Sequence, residues 1–388
     1  MKSRQKRVLF FAHDGAGLGH VTRVSKLAEG LQGPAACLVI SGHREMSWIV
    51  PKDCEYIHLP DLVTLLNKDK FYYVKPFIDF GSREEVYSFR KKLLCDVITS
   101  FNPDAIFTDY LPLGKLEELD EIIKNYPAKK YYIARGILDH PDQVKIDILG
   151  GKGEEYLEKY YDRIFVTCDR RICDLVREYN LSKILEQKLL YVGYVRGLIS
   201  QKDINQARLE RGVGKDAIWV VCSVGGGKLG KSLIEEHLGL ADKYQDIYFD
   251  IVLGARSNYQ CDFCTTAHRD YGNIRIHREN QNLKYLHAGC DITICTGSYN
   301  SLMESLQGNS VIITRPIQVK KTDEQYVHPQ RLSNFVNILS ATTSSELEEA
   351  FKIALEKIKK NTILDKRLEL NYNGVEAIKK IVFADLMI

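Results

Sequence analysis

The sequence predicts an α/β protein made of two doubly wound parallel-sheet domains of similar size, facing each other across a cleft. Three observations predict it. Short apolar runs alternate with amphipathic stretches of about ten or more residues along nearly the whole chain, which is the pattern of βαβ units. Two of these runs end in glycine-rich turns that open helices, one at residues 15–20 and one at residues 223–232. The length of 388 residues exceeds one ordinary core, so two domains of roughly 150–200 residues are expected.

In order, strands are expected at residues 7–12, 36–41, 56–59, 104–109, 129–134, 163–167 and 190–192. Helices follow at 21–31 and 83–101, and the aromatic, weakly patterned stretch 61–79 reads as a loop region. Residues 196–203 are polar and lack periodicity, so the linker is placed there. The first domain then spans 1–198 and the second 199–370. In the second, strands are expected at 218–223, 248–253, 274–277, 291–295, 311–314 and 336–339, with helices at 233–244 and 347–360. A last helix in 371–388 is expected to cross back to the first domain. Ligands of such a fold lie at the C-terminal ends of the strands.

Composition narrows the function classes. Hydrophobic residues make up 45% and charged residues 27%, as in globular proteins. A net charge of +3 gives little reason to expect nucleic acid, and the basic cluster Lys2, Arg4, Lys6 and Arg7 reads as a solvated terminus. No apolar run reaches the ~18–20 residues of a membrane span, and the start shows neither the apolar run nor the cleavage site expected of a secretory leader. A cytoplasmic protein is expected, with peripheral membrane contact left open. The ten cysteines are scattered, so disulfides are not expected. Cys261 and Cys264 form a lone C-x-x-C, and neither His268, Cys290 nor Cys295 completes a metal spacing.

Four stretches carry candidate chemistry. Residues 223–232 read S-V-G-G-G-K-L-G-K-S after a buried apolar run. Free backbone N–H groups at the positive end of a helix favour a phosphate there. The same string satisfies G-x-x-x-x-G-K-[ST] through Gly225, Gly230, Lys231 and Ser232, so a P-loop and a nucleotide-sugar turn compete. The first turn, Gly15-x-Gly17-x-Gly19-His20, departs from a dinucleotide fingerprint at its third glycine, and the second strand ends without the acid that would hold a ribose. His20 at a helix start can take a proton near neutral pH, or it can merely cap the helix. His13 and Asp14 are rival bases. Residues 295–304 repeat the strand, small polar turn and helix, with Glu304 able to accept two ribose hydroxyls, or to act as a solvated surface acid. Glu324 and Gln325, opening a further helix, can hold sugar hydroxyls or simply face solvent.

The order G-x-G-x-G-H-x-x-R, S-V-G-G-G, G-S-Y-N-S-x-x-E and E-Q before a helix resembles the GT-B glycosyltransferases. It is similar to the branch with the peptidoglycan enzyme that adds N-acetylglucosamine to a lipid-linked acceptor. It is closer to a bacterial group carrying H-D-G-x-G-L-G-H, L-R-D-I-L-D, V-G-G-G and G-G-Y-N-T-x-x-E. The matching stretches are 13–20, 134–139, 224–227 and 297–304. This chain departs from that pattern at Gly136 and Ser298.

The resemblance implies an inverting, metal-independent transfer from a nucleotide diphosphate sugar, with a UDP-sugar such as UDP-GlcNAc favoured, to an acceptor hydroxyl. No cofactor is expected beyond the nucleotide-sugar co-substrate. His20 is the expected general base. Val224, Gly225, Gly226 and Gly227 are expected to approach the diphosphate by backbone, with Ser223 in support. Gly297, Ser298, Tyr299 and Asn300 hold it from the second turn, Glu304 holds the ribose, and Glu324 and Gln325 address the sugar. Arg256 can reach the phosphates or serve as a surface residue, and residues 280–283 are placed near the base. Gly17, Gly19, Asp109 and Arg135 are candidate contacts to a small-molecule, natural-product or lipid acceptor. Tyr72, Tyr73, Phe77 and Phe80 can stack on it or form a local apolar cluster. The alternatives are a P-loop NTPase using residues 225–232, a nucleotide-sugar 2-epimerase, and a non-catalytic sugar-nucleotide binder.

Overall fold

The computed structural model of the chain describes residues 4–15, 17–60, 62–67, 70–76, 82–225, 231–254, 268–278, 282–317, 324–362 and 369–388. It divides into two compact units. Unit 1 holds residues 1–196 and 371–388, and unit 2 holds 197–370.

Unit 1 is built on seven parallel strands: β1 (Lys6–Phe11), β2 (Ala35–Ser41), β3 (Glu55–His58), β6 (Ala105–Asp109), β7 (Lys129–Arg135), β8 (Arg163–Thr167) and β9 (Leu189–Tyr191). Their order is β3-β2-β1-β6-β7-β8-β9. The order reverses between β1 and β6, the kind of switch point at which doubly wound sheets bind ligands. Between them in sequence lies an antiparallel hairpin, β4 (Leu62–Asn67) and β5 (Lys70–Pro76). This corrects the loop expected over 61–79. Its alternation is interrupted by a register shift between Leu65 and Asn67, which hid the period of two. Phe77 and Phe80 lie outside the described residues.

The Gly19–Leu31 helix covers this sheet with Val24, Leu27 and Leu31, which pack on Val8, Phe10 and Phe107. The rings of Phe10 and Phe107 stack at 4.7 Å. The C-terminal Gly374–Leu386 helix adds Ile378, Val382 and Leu386 to the same core. Asp385 ties that helix down by accepting from Tyr131 at 3.0 Å and Arg163 at 2.7 Å.

Unit 2 repeats the design with β10 (Trp219–Ser223), β11 (Tyr248–Val252), β12 (His268–Tyr271), β13 (Ile274–His277), β14 (Ile292–Cys295), β15 (Val311–Thr314) and β16 (Ile338–Ser340). The order is β12-β13-β11-β10-β14-β15-β16, with the switch between β10 and β14. The edge strand β12 runs antiparallel to β13 and was not expected from sequence. Val220, Phe249, Ile294, Ile313 and Phe351 form the core. The expected linker is shorter than its polar composition suggests. Ser200 and Asp203 make a reciprocal capping box, and the Gln201–Arg211 helix starts inside that stretch. Only Ala207 and Arg211 of this helix are buried, so it carries almost no apolar stripe to read.

Candidate functional site

In unit 1 the chemistry gathers where the sheet order reverses. Phe11 on β1 pairs with Thr108 on β6, so the loop after β1 and the end of β6 leave the sheet side by side. His20, second residue of the Gly19–Leu31 helix, places Nδ1 2.5 Å from Asp109 Oδ2. Asp109 is fully buried, whereas the His20 side chain keeps 13% exposure. The carboxylate can only accept, so Nδ1 carries the shared proton and Nε2 keeps its lone pair.

Arg23, one helical turn on, also reaches Asp109, through Nε at 3.2 Å and through a closer terminal nitrogen. Burial lowers the His20 pKa below its ordinary value, with Arg23 and Arg135 acting the same way against the raising effect of Asp109. Burial would raise the pKa of Asp109, but Arg23 and then His20 hold it well below the carboxylate range. Asp109 was expected to touch the acceptor. It has no exposed surface in the structure, and its carboxylate contacts His20 and Arg23.

The surroundings of His20 are aromatic. Its ring lies 4.9 Å from that of His13 and 5.1 Å from that of Tyr110, and the Arg135 guanidinium sits 5.2 Å above Tyr110. Tyr110 has φ +68°, an uncommon conformation for a bulky residue, and its carbonyl accepts from the Tyr132 hydroxyl at 2.5 Å. A side chain at Gly15 would approach His20 Cδ2 to 3.0 Å and Nε2 to 3.5 Å, so glycine there keeps that nitrogen open. Gly17 has open space around it, and Gly19 is the first residue of the helix. Arg135 donates to the Leu138 carbonyl at 2.8 Å. Gly136, where the resembling group has Asp, packs against Cys168 too closely for any side chain.

Of the two rival bases, Asp14 fares differently from His20. Asp14 is buried and pairs with Arg90 at 2.8 Å while accepting from the Gly42 amide at 2.6 Å and Ser41 at 3.1 Å. Burial alone would raise its pKa, but Arg90, His43 and the Gly42 amide hold it far below the carboxylate range. A carboxylate so stabilised is a poor base, and the geometry makes Asp14 the brace of its loop. Arg90 extends the brace to Glu118 at 2.7 Å and to the Pro60 carbonyl at 2.6 Å. His13 is buried, and burial, then His20 and Lys115, push its pKa well down.

In unit 2 the second pair of turns leaves adjacent strands at one level, because Ser223 on β10 pairs with Cys295 on β14. Val224 turns into the core and Gly225 takes φ +68°. Gly226, Gly227 and Arg256 lie outside the described residues, as do Cys261, Cys264 and residues 280 and 281. Gly297 takes φ +80°, and a side chain there would lie 2.8 Å from the Gln325 carbonyl. The turn at Gly297 is thus pressed against the start of the Glu324–Leu332 helix. Gln325 Oε1 accepts from the Ile317 amide at 3.0 Å, and Glu324 is buried rather than facing solvent.

Ser298 stands at the N-cap position of the Tyr299–Ser305 helix without a side-chain capping bond and donates to the Ser301 hydroxyl at 3.1 Å; Tyr299 is buried and Asn300 is half-buried. Glu304 is held by His287 Nδ1 at 3.3 Å, while His287 Nε2 meets the Ser223 hydroxyl at 3.0 Å. His287 had no assigned part in the sequence reading.

The P-loop alternative finds no magnesium acid on β11. Asp250 is buried and engaged by Arg211 at 2.5 Å, His277 at 2.6 Å and the Trp219 indole at 2.7 Å. Lys231 is exposed, 3.8 Å from Glu235. Among the described residues, no group of three or more His, Cys, Asp or Glu is placed to hold a metal ion, and no helix is long and apolar enough to cross a membrane.

Two parallel-sheet α/β units, each with a turn pair at its switch point, are the GT-B fold. No family model and no curated protein matches the chain. Solved structures do. The Arabidopsis thaliana protein UGT89C1, complexed with UDP, aligns with TM-score 0.65 and 11% identity over 99% of this chain and 100% of its own. A UDP-glucosyltransferase from Polygonum tinctorium capable of glucosylating indoxyl aligns with TM-score 0.62 and 10% identity over 98% of each chain. The glycosyltransferase SnogD from Streptomyces nogalater aligns with TM-score 0.60 and 15% identity over 97% of this chain and 100% of its own.

Proposed function

We propose that the protein is an inverting glycosyltransferase that moves a sugar from a nucleoside diphosphate sugar to an acceptor hydroxyl. A UDP-sugar such as UDP-GlcNAc is the donor favoured by the motif resemblance. The observation that carries the reading is the His20–Asp109 contact of 2.5 Å at the switch point of unit 1. With Nδ1 protonated toward Asp109, His20 Nε2 takes the proton of the acceptor hydroxyl as its oxygen attacks the anomeric carbon. The bond from that carbon to the diphosphate oxygen breaks, and the nucleoside diphosphate leaves with the electron pair. Attack opposite the leaving group inverts the anomeric centre.

Charge grows on the departing diphosphate, which makes its stabilisation the main electrostatic demand. The turns at residues 224–227 and 297–300 are assigned to that task without a metal ion. Glu304 takes the ribose, and Glu324 and Gln325 take the donor sugar. The acceptor is a small molecule, natural product or lipid, in a cytoplasmic protein with no nucleic-acid partner. The relationship to the peptidoglycan N-acetylglucosaminyltransferase branch belongs to this proposal, since it rests on the quoted motifs.

Incubation with UDP-, dTDP- and GDP-sugars, with and without an acceptor extract, tests the reading. Acceptor-dependent release of one nucleoside diphosphate is expected. Release without transfer, accompanied by an epimerised sugar, would favour the 2-epimerase. Magnesium-dependent ATP hydrolysis abolished by Lys231→Ala would favour the P-loop.

A further inference from the structure

Three elements of unit 2 meet at one imidazole. His287 lies on the Leu283–Gly289 helix and is fully buried. Its Nε2 is 3.0 Å from the hydroxyl of Ser223, the last residue of β10, where the glycine turn begins. Its Nδ1 is 3.3 Å from Oε2 of Glu304 on the Tyr299–Ser305 helix. A carboxylate only accepts, so Nδ1 donates to Glu304, while Nε2 shares the second bond with the Ser223 hydroxyl. Of the three side chains only Glu304 has surface to offer a ligand, with 15% exposure against 1% for Ser223 and none for His287.

We propose that His287 is a positioning residue of the nucleotide site. It fixes the plane of the Glu304 carboxylate for a ribose diol and ties that carboxylate to the start of the diphosphate turn. The inference rests on the reading of unit 2 as the donor-binding unit. It goes beyond that reading by assigning a fully buried residue, with no surface of its own to offer a ligand, to ribose recognition. A carboxylate pivoting about its own side-chain torsions would lose one of two parallel contacts to a diol, whereas one clamped at Oε2 keeps both.

The two amide isosteres separate the halves of the bridge. In His287→Asn the amide nitrogen falls near the position of Nδ1, so the bond to Glu304 is kept and the one to Ser223 lost. In His287→Gln the amide reaches the position of Nε2, keeping Ser223 and releasing Glu304. UDP and 2′,3′-dideoxy-UDP are titrated calorimetrically against wild type and both variants, with folding checked by thermal unfolding. Wild type should prefer UDP by roughly tenfold or more, the scale of hydrogen bonds to a charged group. His287→Asn should keep most of that preference, and His287→Gln should reduce it to about threefold or less. Equal preference in all three proteins, or equal loss in both folded variants, would overturn the proposal. UDP binding by wild type with no preference over the dideoxy analogue removes Glu304 from the ribose, and absence of any UDP binding removes the donor reading itself.

Discussion

Burial and Asp109 pull the pKa of His20 in opposite directions, and burial prevails. The ring is therefore neutral and able to accept a proton at neutral pH. As pH falls through the lowered pKa, Nε2 is protonated and can no longer act as the proposed base. The acid limb of kcat/KM should thus lie below the ordinary histidine value of about 6.5. Asp109→Asn removes the influence that raises the His20 pKa, so the limb should move to still lower pH while the plateau falls at least tenfold. A limb that stays in place would show that His20 does not set it. His20 itself was legible, because a histidine opening a helix after a glycine turn is a local pattern. Its partner was not: Asp109 lies 89 residues away, and its strand-end position suited an acceptor contact as well as a buried clamp. The state of Asp14, offered as a rival base, was not legible for the same reason, since Arg90, 76 positions on, decides it.

At the scale of elements, the switch points do the organising. Each pair of neighbouring strands, β1 with β6 and β10 with β14, delivers two turns to one place. The glycines were readable as turns, but the reason for a particular glycine comes from what packs on it. Gly297→Ala would need φ +80° with a side chain, 2.8 Å from the Gln325 carbonyl. The turn should shift away from the Glu324–Leu332 helix. The expected outcome is a loss of about 1–3 kcal/mol in stability with a larger proportional loss of nucleotide affinity. Unfolding in denaturant and UDP titration check the two together, and unchanged affinity would detach this turn from the donor. The β4–β5 hairpin and the Gln201–Arg211 helix escaped the sequence because one has a broken register and the other lacks an apolar stripe.

Across the whole molecule, alternation of buried strands with helices was enough to foresee two doubly wound units, because parallel sheets need apolar strands covered on both faces. The Walker-like string of the second unit left a P-loop and a nucleotide-sugar turn both open. Packing speaks against the P-loop, since Asp250 is consumed by Arg211, His277 and Trp219 inside unit 2. The central claim is that unit 1 supplies a base and unit 2 holds the nucleotide, so the two tasks separate on mutation. Turnover and UDP affinity of His20→Ala, measured side by side with wild type, test that separation most directly. Turnover should fall by about 10²–10⁴ with the UDP dissociation constant unchanged within about twofold. Undiminished turnover, or UDP affinity falling in step with it, would contradict the account.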